Sequence, residues 1–569
     1  MPSKRPRKRS AGDDVTTGRL SIALAVLNPT VGDVAGNIER IKAAHKEATD
    51  CDLVVCSELC VSGYPPEDLV LHAPYAIRCR EAVDALAQVT ADGPALVVGT
   101  PWPAEGRQRK PYNASVLLAD GKVQTVAYKR YLPEYGVFDE PRTFSASTAI
   151  PDLGIVAGVR LGLMTCEDMW YPTPAADLAE RGAEIFVAPH GSPFRLTAHA
   201  ERLFHAKARV RETGRPLVFT NQVGGQDELV FDGGAFAVDR DEGVYRGPLF
   251  ARGITRTVWR RDEAGHLRFE TGPSEDWPVE EPLIYPALVT GTRDYVRKSG
   301  FSSVVLGLSG GIDSAMVAAI AVDALGPDNV RCVMLPSRYT STESLDDAAA
   351  CAKALGVTLD RVEIEPMIAV FTDSLAPLFA GRSADVTEEN LQSRIRGTAL
   401  MALSNKFGCL LLSTGNKSEM ATGYATLYGD MNGAYNPLKD VYKSVVFRLA
   451  RWRNANHPSG GLGPRGEVIP ERIITKPPSA ELRADQRDDQ SLPAYDILDD
   501  ILSGLVEEDL SPKAVAARGH DPALVTKVRR LLLLSEYKRR QAPPGPKITV
   551  RNFGRDRRYP LLNRWGANE

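Results

Sequence analysis

The chain has 569 residues, with 69 basic against 72 acidic side chains, a net charge of −3, and 43% hydrophobic residues. That balance excludes a globally basic nucleic-acid binder, and no apolar run reaches the roughly 18 residues that span a bilayer. At about 100–200 residues per domain, the length predicts several domains or two large ones.

The opening stretch, MPSKRPRKRS, is basic and lacks the apolar segment of a signal peptide. We expect a disordered tail over 1–17. The eight cysteines include no CxxC pair, which gives no zinc pattern. Several lie in apolar runs, where a free thiol packs as a small hydrophobe, and a reducing cytoplasm is the expected compartment.

Strands are predicted at Leu20–Asn28, Asp52–Glu58, Ala95–Pro101, Ser115–Asp120, Arg160–Asp168, Glu184–Pro189 and Pro216–Gln222. Helical spacing marks Asn37–Ala48 and His199–Thr213. Many strands with fewer helices predict an α/β layered domain over 18–270. The Pro-, Gly- and acid-rich stretch Thr271–Pro282 reads as a linker, 271–283. A second domain, 284–569, has strands at Ser303–Ser309, Val330–Leu335, Asp360–Pro366 and Cys409–Gly415, separated by longer helices. That rhythm predicts a doubly wound parallel sheet, whose ligand crevice lies beyond the carboxyl ends of its strands. Asn456–Pro470, rich in Gly and Pro without periodicity, reads as a mobile loop.

Three polar residues close strands of the first half: Glu58, Lys129 and Cys166. Singly each has an ordinary reading, as an edge charge, a solvated lysine and a packed thiol. Together they form an acyl-transfer set, with a thiolate nucleophile, a carboxylate to take its proton and an ammonium to stabilise an oxyanion. On these residues the segment from about Leu20 to Phe269 resembles the nitrilase superfamily. The resemblance implies an α-β-β-α sandwich, a Glu58–Lys129–Cys166 triad and attack of Cys on an amide or nitrile carbon. It further implies a second glutamate, supplied by Glu134 in LPEYG, and substrate contacts from Tyr135 and Ser192. One lysine expected in that family just past SPF is here Ala198, which puts one glutamine-anchoring contact in doubt.

In the second half, VVLGLSGGIDSAMVAAI (Val304–Ile320) reads as strand, glycine-rich turn and helix start, a phosphate cradle. It lacks the lysine of GxxxxGK[ST]. It resembles instead the PP-loop ATP pyrophosphatases, which cleave between the α and β phosphates. The resemblance implies that Gly307, Leu308, Ser309, Gly310, Gly311, Ile312, Asp313 and Ser314 bind ATP, with Asp313 on Mg²⁺. EENLQSRIRG (Glu388–Gly397), STGNKSEMATGYATLYGDMNG (Ser413–Gly433), NPLKDVYK (Asn436–Lys443), KPPSAEL (Lys476–Leu482) and SEYKRRQ (Ser535–Gln541) resemble the NAD⁺ synthetase family. The order of the two halves is that of its glutamine-dependent branch. This implies Thr414, Lys443 and Ser479 on ATP, Glu419 with Asp313 at Mg²⁺, and Asn390, Glu419 and Lys538 along the deamido-NAD⁺ site. Leu427 stands where ammonia-dependent members have a lysine. A homo-oligomer is expected, with small-molecule substrates and neither nucleic acid nor membrane as partner. Two other readings are another PP-loop amidotransferase, disfavoured because those families use different glutaminase domains, and an inactive nucleotide-binding regulator, which an intact Glu58, Lys129, Cys166 and Asp313 oppose.

Overall fold

The computed structural model describes residues 18–104, 110–479, 481–483, 486 and 492–563. The basic stretch at 1–17 lies outside them. The chain divides into two packing units: Phe194–Leu196 and Asp227–Val230 group with the residues from Pro278 onward, and the remainder through Trp277 forms the first unit.

In the first unit β1 (Arg19–Val26), β2 (Leu53–Val55), β3 (Ala95–Trp102), β4 (Tyr112–Ala119) and β5 (Lys122–Tyr128) run side by side in that order. A second sheet contains β6 (Gly154–Val156), β7 (Val159–Leu163), β8 (Ile185–His190) and β9 (Leu217–Asn221). A hairpin, β10 (Val223–Gln226) and β11 (Leu229–Asp232), precedes β12 (Phe236–Val238) and β13 (Val244–Arg246), which extend the second sheet. Returning strands β14 (Gly253–Arg261) and β15 (Leu267–Thr271) join the first sheet beyond β1.

Alternation along β1 explains the layers. Leu20, Ile22 and Leu24 pack in one cluster with Leu161, Leu163, Ile185, Val187 and Val218 of the facing sheet. Ala23 and Ala25 point the other way, toward Val34 and Ile41 of α1 (Val34–Glu47) and Cys79, Val83 and Leu86 of α2 (Ala73–Ala87). A short helix, α3 (Glu140–Thr143), follows β5. Phe186, Phe219 and Phe236 form the outer face of the second sheet, covered by Leu178 of α4 (Pro172–Glu180) and Ala206 and Val210 of α5 (Ala198–Thr213). The result is the expected helix–sheet–sheet–helix sandwich. Because both faces of the central strands are buried, they read as apolar runs rather than as alternating ones.

Two predicted strands end early. The run from Arg160 stops as strand at Leu163, and Asp52–Glu58 keeps only Leu53–Val55. Glu58 and Cys166 therefore sit in turns past their strands. In the linker, Trp277 is fastened to the first unit, its Nε1–H donating to the Gly247 carbonyl at 2.9 Å.

The second unit opens with α6 (Glu281–Lys298), β16 (Val304–Gly307), α7 (Ile312–Leu325), β17 (Val330–Met334), α8 (Thr342–Leu355), β18 (Thr358–Arg361), α9 (Glu365–Leu375), α10 (Val386–Phe407) and β19 (Leu410–Leu411). The four strands are parallel, in the order β18-β17-β16-β19. Helix α10 covers one face, with Ile395, Leu400 and Leu403 on Val305, Val333 and Leu411. Nearly every residue of α7 is buried, which is why its sequence lacks an amphipathic stripe. Its one buried acid, Asp323, is paired with Arg453 (2.6 and 3.1 Å) and accepts from the Tyr285 hydroxyl (2.7 Å). The same Arg453 guanidinium donates to the carbonyls of Asn456, Pro464 and Gly466. The loop expected to be mobile is thus held at several points by one buried cation.

Candidate active sites

In the first unit Lys129 and Glu58 are both fully buried. The Lys129 ammonium donates to Glu58 Oε1 at 2.7 Å and to Glu140 Oε1 at 2.9 Å. Glu58 also accepts from the Asn113 amide (2.7 Å) and, on Oε2, from the Gly191 backbone N–H (2.7 Å). A side chain at Gly191 would press on the Tyr64 ring at 2.9 Å and on Glu58 Oε2 at 3.1 Å, so only glycine lets this strand end approach the carboxylate. Tyr64 donates from its hydroxyl to Glu140 at 3.1 Å. The second glutamate on the lysine is therefore Glu140 and not Glu134, which is exposed. Residues 133–140 fold back on themselves, with Glu140 N–H on the Pro133 carbonyl at 3.1 Å.

Cys166 lies at the start of a single 3₁₀ turn, Cys166–Trp170, with φ of +46°. Left-handed backbone at a non-glycine residue is costly and persists only where its surroundings enforce it. Here the Asp168 carboxylate does so. It accepts from the Thr165 N–H at 3.3 Å on one oxygen and from the Arg130 and Tyr131 N–H groups, both at 2.9 Å, on the other. One side chain thus ties the cysteine turn to the segment directly after Lys129.

The charges act on one another through a dry interior. Burial, then the Glu58 charge, push the Cys166 thiol well above its ordinary range against the pull of Lys129. Burial draws the Lys129 ammonium down, but Glu140 and Glu58 outweigh it and hold it well above the usual lysine value. Burial lifts Glu140 to about 7, with Lys129 opposing, and lifts Asp168 to about 6 against its three N–H donors. The thiol rests protonated beside a carboxylate able to take its proton.

Of the two residues assigned to substrate, Tyr135 is exposed and its hydroxyl donates to Glu167 at 3.0 Å. Glu167 directly follows Cys166. Ser192 is held from behind: its hydroxyl accepts from Arg202 Nε at 3.0 Å and its carbonyl from Asn221 at 2.9 Å. Arg202 is itself doubly bonded to buried Asp232 (2.9 and 2.8 Å). Ala198 is buried at the first position of α5.

Replacing Asp168 by Asn keeps one acceptor oxygen but sets an NH₂ against a backbone donor. At about 1–3 kcal/mol for an unsatisfied buried group, we expect hydrolysis at this cysteine to slow about fivefold to a hundredfold. A steady-state rate within twofold of the parent would show that the turn holds without this clamp.

In the second unit a cavity of about 370 Å³ opens at the carboxyl ends of β16 and β17, lined in part by Gly307, Leu308, Ser309, Gly311, Ile312, Asp313 and Ser314. Gly310 shapes the turn from behind, with φ of +79° and the Ser344 carbonyl 2.3 Å from where a Cβ would stand. Ser309 and Ser314 share a hydroxyl contact of 3.1 Å, and Ser314 accepts from the Ser309 N–H. Thr414, Glu419, Lys443 and Ser479 also line the cavity. The Lys443 ammonium pairs with Asp313 and lies 3.7 Å from Glu419, so two carboxylates converge on one cation. Among the described residues no three His, Cys, Asp or Glu side chains make a ready metal site. A magnesium site built on substrate phosphates needs only one or two carboxylates, and this pair of hard oxygen donors fits.

Asn390 and Lys538 are not among the cavity-lining residues. Asn390 accepts from the Thr426 hydroxyl at 2.9 Å, and Lys538 donates to the carbonyls of Gly423 and Ala425, both at 2.7 Å. Both hold the Gly423–Thr426 segment, whose own Tyr424 lines the cavity.

Behind the site, between Asn416 and Glu419, Lys417 is fully buried on Asp440 (2.8 Å) and Glu507 (2.7 Å). Burial opposes its charge, and the two carboxylates overcome that. Lys417→Ala leaves two facing carboxylates without their cation, with the Ile548, Thr549 and Val550 donors left to hold them, so we expect a loss of about 3 kcal/mol. The check is the urea midpoint of the second unit, and an unchanged midpoint would refute it.

A model of the carbon-nitrogen hydrolase family matches residues 21–247, and a model of the NAD synthase family matches residues 284–542. A glutamine-dependent NAD⁺ synthetase of Rhodobacter capsulatus is 49% identical over 562 residues, covering 96% of this chain and 99% of its own. The solved glutamine-dependent NAD⁺ synthetase of Acinetobacter baumannii, in complex with ADP, superposes with a TM-score of 0.74 at 40% identity, over 97% of this chain and 100% of that one. The corresponding enzyme of Cytophaga hutchinsonii gives a TM-score of 0.79 at 22% identity, over 96% and 98%, a likeness of fold.

Proposed function

This chain belongs to the glutamine-dependent NAD⁺ synthetase family, and from that premise we propose how its residues divide the work. It is a carbon–nitrogen ligase that takes the amide nitrogen of glutamine and delivers it to deamido-NAD⁺ at the expense of ATP. The observation that carries the reading is the presence, in one chain, of a buried Glu58–Lys129–Cys166 cluster and a phosphate cradle whose Asp313 faces Lys443 and Glu419. The first unit, taken as residues 18–270, is the glutaminase, and residues 284–569 are the synthetase.

In the glutaminase Glu58 takes the Cys166 proton and the thiolate attacks the carboxamide carbon of glutamine. Lys129 stabilises the oxyanion, the C–N bond breaks, and ammonia leaves with the proton Glu58 holds. Water then cleaves the thioester to glutamate. Tyr135 and Ser192 hold the amino-acid end of the substrate.

In the synthetase a nicotinate carboxylate oxygen attacks the α-phosphorus of ATP and pyrophosphate leaves. Ammonia attacks the activated carbonyl carbon, and AMP leaves. Gly307–Ser314, Thr414, Lys443 and Ser479 bind ATP. Asn390, Glu419 and Lys538 serve the dinucleotide, the first and last through the Gly423–Thr426 segment. Asp313 and Glu419 would hold Mg²⁺, which when bound neutralises charge on the departing pyrophosphate. All eight cysteines stand as free thiols, in keeping with a reducing, cytoplasmic setting.

The test is direct. Purified protein is incubated with deamido-NAD⁺, ATP, Mg²⁺ and glutamine, and NAD⁺, AMP, pyrophosphate and glutamate are measured. Equal yields of the four support the reading; ADP in place of AMP, or no NAD⁺, overturns it.

A further inference from the structure

Among the described residues three cationic side chains line the nucleotide cavity, Lys443, Lys476 and Arg396, and they differ in what balances them. Lys443 is paired with Asp313 and Glu419. Lys476 is paired with Asp347 at 2.9 Å. Arg396, on α10, has no such partner. Its Nε donates to the Leu335 carbonyl at 3.0 Å and one terminal nitrogen to the Ser337 hydroxyl at 3.3 Å, both neutral. Among the described residues no carboxylate lies within ion-pair distance of it, and only Glu481 adds attraction from further off. The Glu481 carboxylate is occupied by the hydroxyls of Ser341 and Ser344, each at 2.8 Å.

A guanidinium removed from water without a counter-charge is expensive unless something supplies one. Burial is felt here as a fall in the Arg396 pKa to about 10. The location says what would supply it. Arg396 reaches the carboxyl end of β17 at Leu335. One turn on, Leu400 approaches Gly307 of β16 so closely that a Cβ there would lie 3.3 Å away. Arg396 therefore lines the same cavity as the SGGIDS turn, and its other terminal nitrogen is left to meet a ligand. A planar fork of N–H donors matches two phosphate oxygens at once.

We propose that Arg396 is a phosphate-binding residue of the nucleotide cavity, clamping the triphosphate of ATP together with the Ser309–Ser314 turn that lines the same cavity. This rests on the reading of the second unit as an ATP-using synthetase. Its two donor contacts, to Leu335 and Ser337, orient the fork for the ligand.

The experiment uses the full chain with ammonium as nitrogen source, comparing Arg396→Ala and Arg396→Lys with the parent. A charge-assisted hydrogen-bond pair of this kind is worth about 1.5–3 kcal/mol, or about tenfold to hundredfold in affinity. We expect KM for ATP to rise by that factor in Arg396→Ala, and by less in Arg396→Lys, with KM for deamido-NAD⁺ within twofold of the parent. Direct titration with ATP in the absence of the dinucleotide should show the same loss. A rise confined to deamido-NAD⁺, or ATP binding unchanged in both variants, overturns the proposal. Ammonium-driven turnover at saturating ATP reports that the second unit of each variant is folded, and if Arg396→Ala does not fold, Arg396→Lys alone decides. Failure of the parent to form NAD⁺ would instead count against the synthetase reading itself.

Discussion

Cys166→Ala is expected to lose NAD⁺ formation from glutamine while keeping it from ammonium salt. The thiol is the group that bonds to the carboxamide carbon, and no other nucleophile in the Glu58–Lys129–Glu140 cluster can replace it. Removing a covalent nucleophile leaves only binding and oxyanion stabilisation, so glutamine-driven synthesis should fall below about one part in a thousand. Alanine suits the test because it needs the same left-handed backbone at φ +46° as the cysteine it replaces and leaves the Asp168 clamp intact. Because the thiol is buried and its pKa is raised, the loss removes a neutral group and strands no charge. The synthetase needs only a neutral NH₃ meeting an activated carboxylate, so its ammonium-driven rate should climb with pH as the free base grows. The two nitrogen sources are assayed side by side. A variant dead with ammonium, though folded and able to bind ATP, would show that Cys166 does more than release ammonia.

The positions of Glu58, Lys129 and Cys166 at strand ends were legible because buried parallel strands announce themselves as apolar runs, and a polar residue closing one is conspicuous. The cradle was legible for the same reason, since Val304–Leu306 and the helix from Ile312 frame the glycines. What escaped the sequence depends on chain reversal. Glu134 is nearer Lys129 along the chain, yet the fold-back through Pro133 delivers Glu140 instead. No local pattern encodes that the carboxylate 11 residues on will meet the ammonium. Strand β14 was missed because its inward positions include Thr255 and Thr257, buried hydroxyls that break the apolar alternation. The loop Asn456–Pro470 has the composition of a free segment. Its anchor is Arg453, whose own charge is settled by Asp323, 130 residues away.

Asp313→Ala is expected to abolish NAD⁺ formation with either nitrogen source. Asp313 is the second residue of α7, and its two oxygens have different partners: Asn416 donates to Oδ1 at 3.1 Å, and Lys443 pairs with Oδ2. Asn416 in turn caps the helix that carries Glu419 (Lys417–Thr422), accepting from the Glu419 N–H at 3.0 Å. Asp313 therefore sets the placement of Lys443 and Glu419 together, and without it the ammonium is left with a single carboxylate at 3.7 Å. In a cavity that must receive several phosphate charges, misplacing one organised cation costs on the order of a hundredfold to a thousandfold in rate. Losing the carboxylate that would hold Mg²⁺ adds to that. Some stability should be lost as well, because the mostly buried Asp313 is paired with a nearly fully buried Lys443, so the variant is first checked to be folded by its thermal unfolding. Glutamine hydrolysis and alkylation of Cys166 by iodoacetamide should proceed in the variant, since none of the first unit's hydrogen bonds to Glu58, Lys129 or Asp168 involves Asp313. Synthesis at the parental rate from ammonium would remove Asp313 from the phosphate site and with it the pyrophosphate-releasing chemistry assigned to this loop.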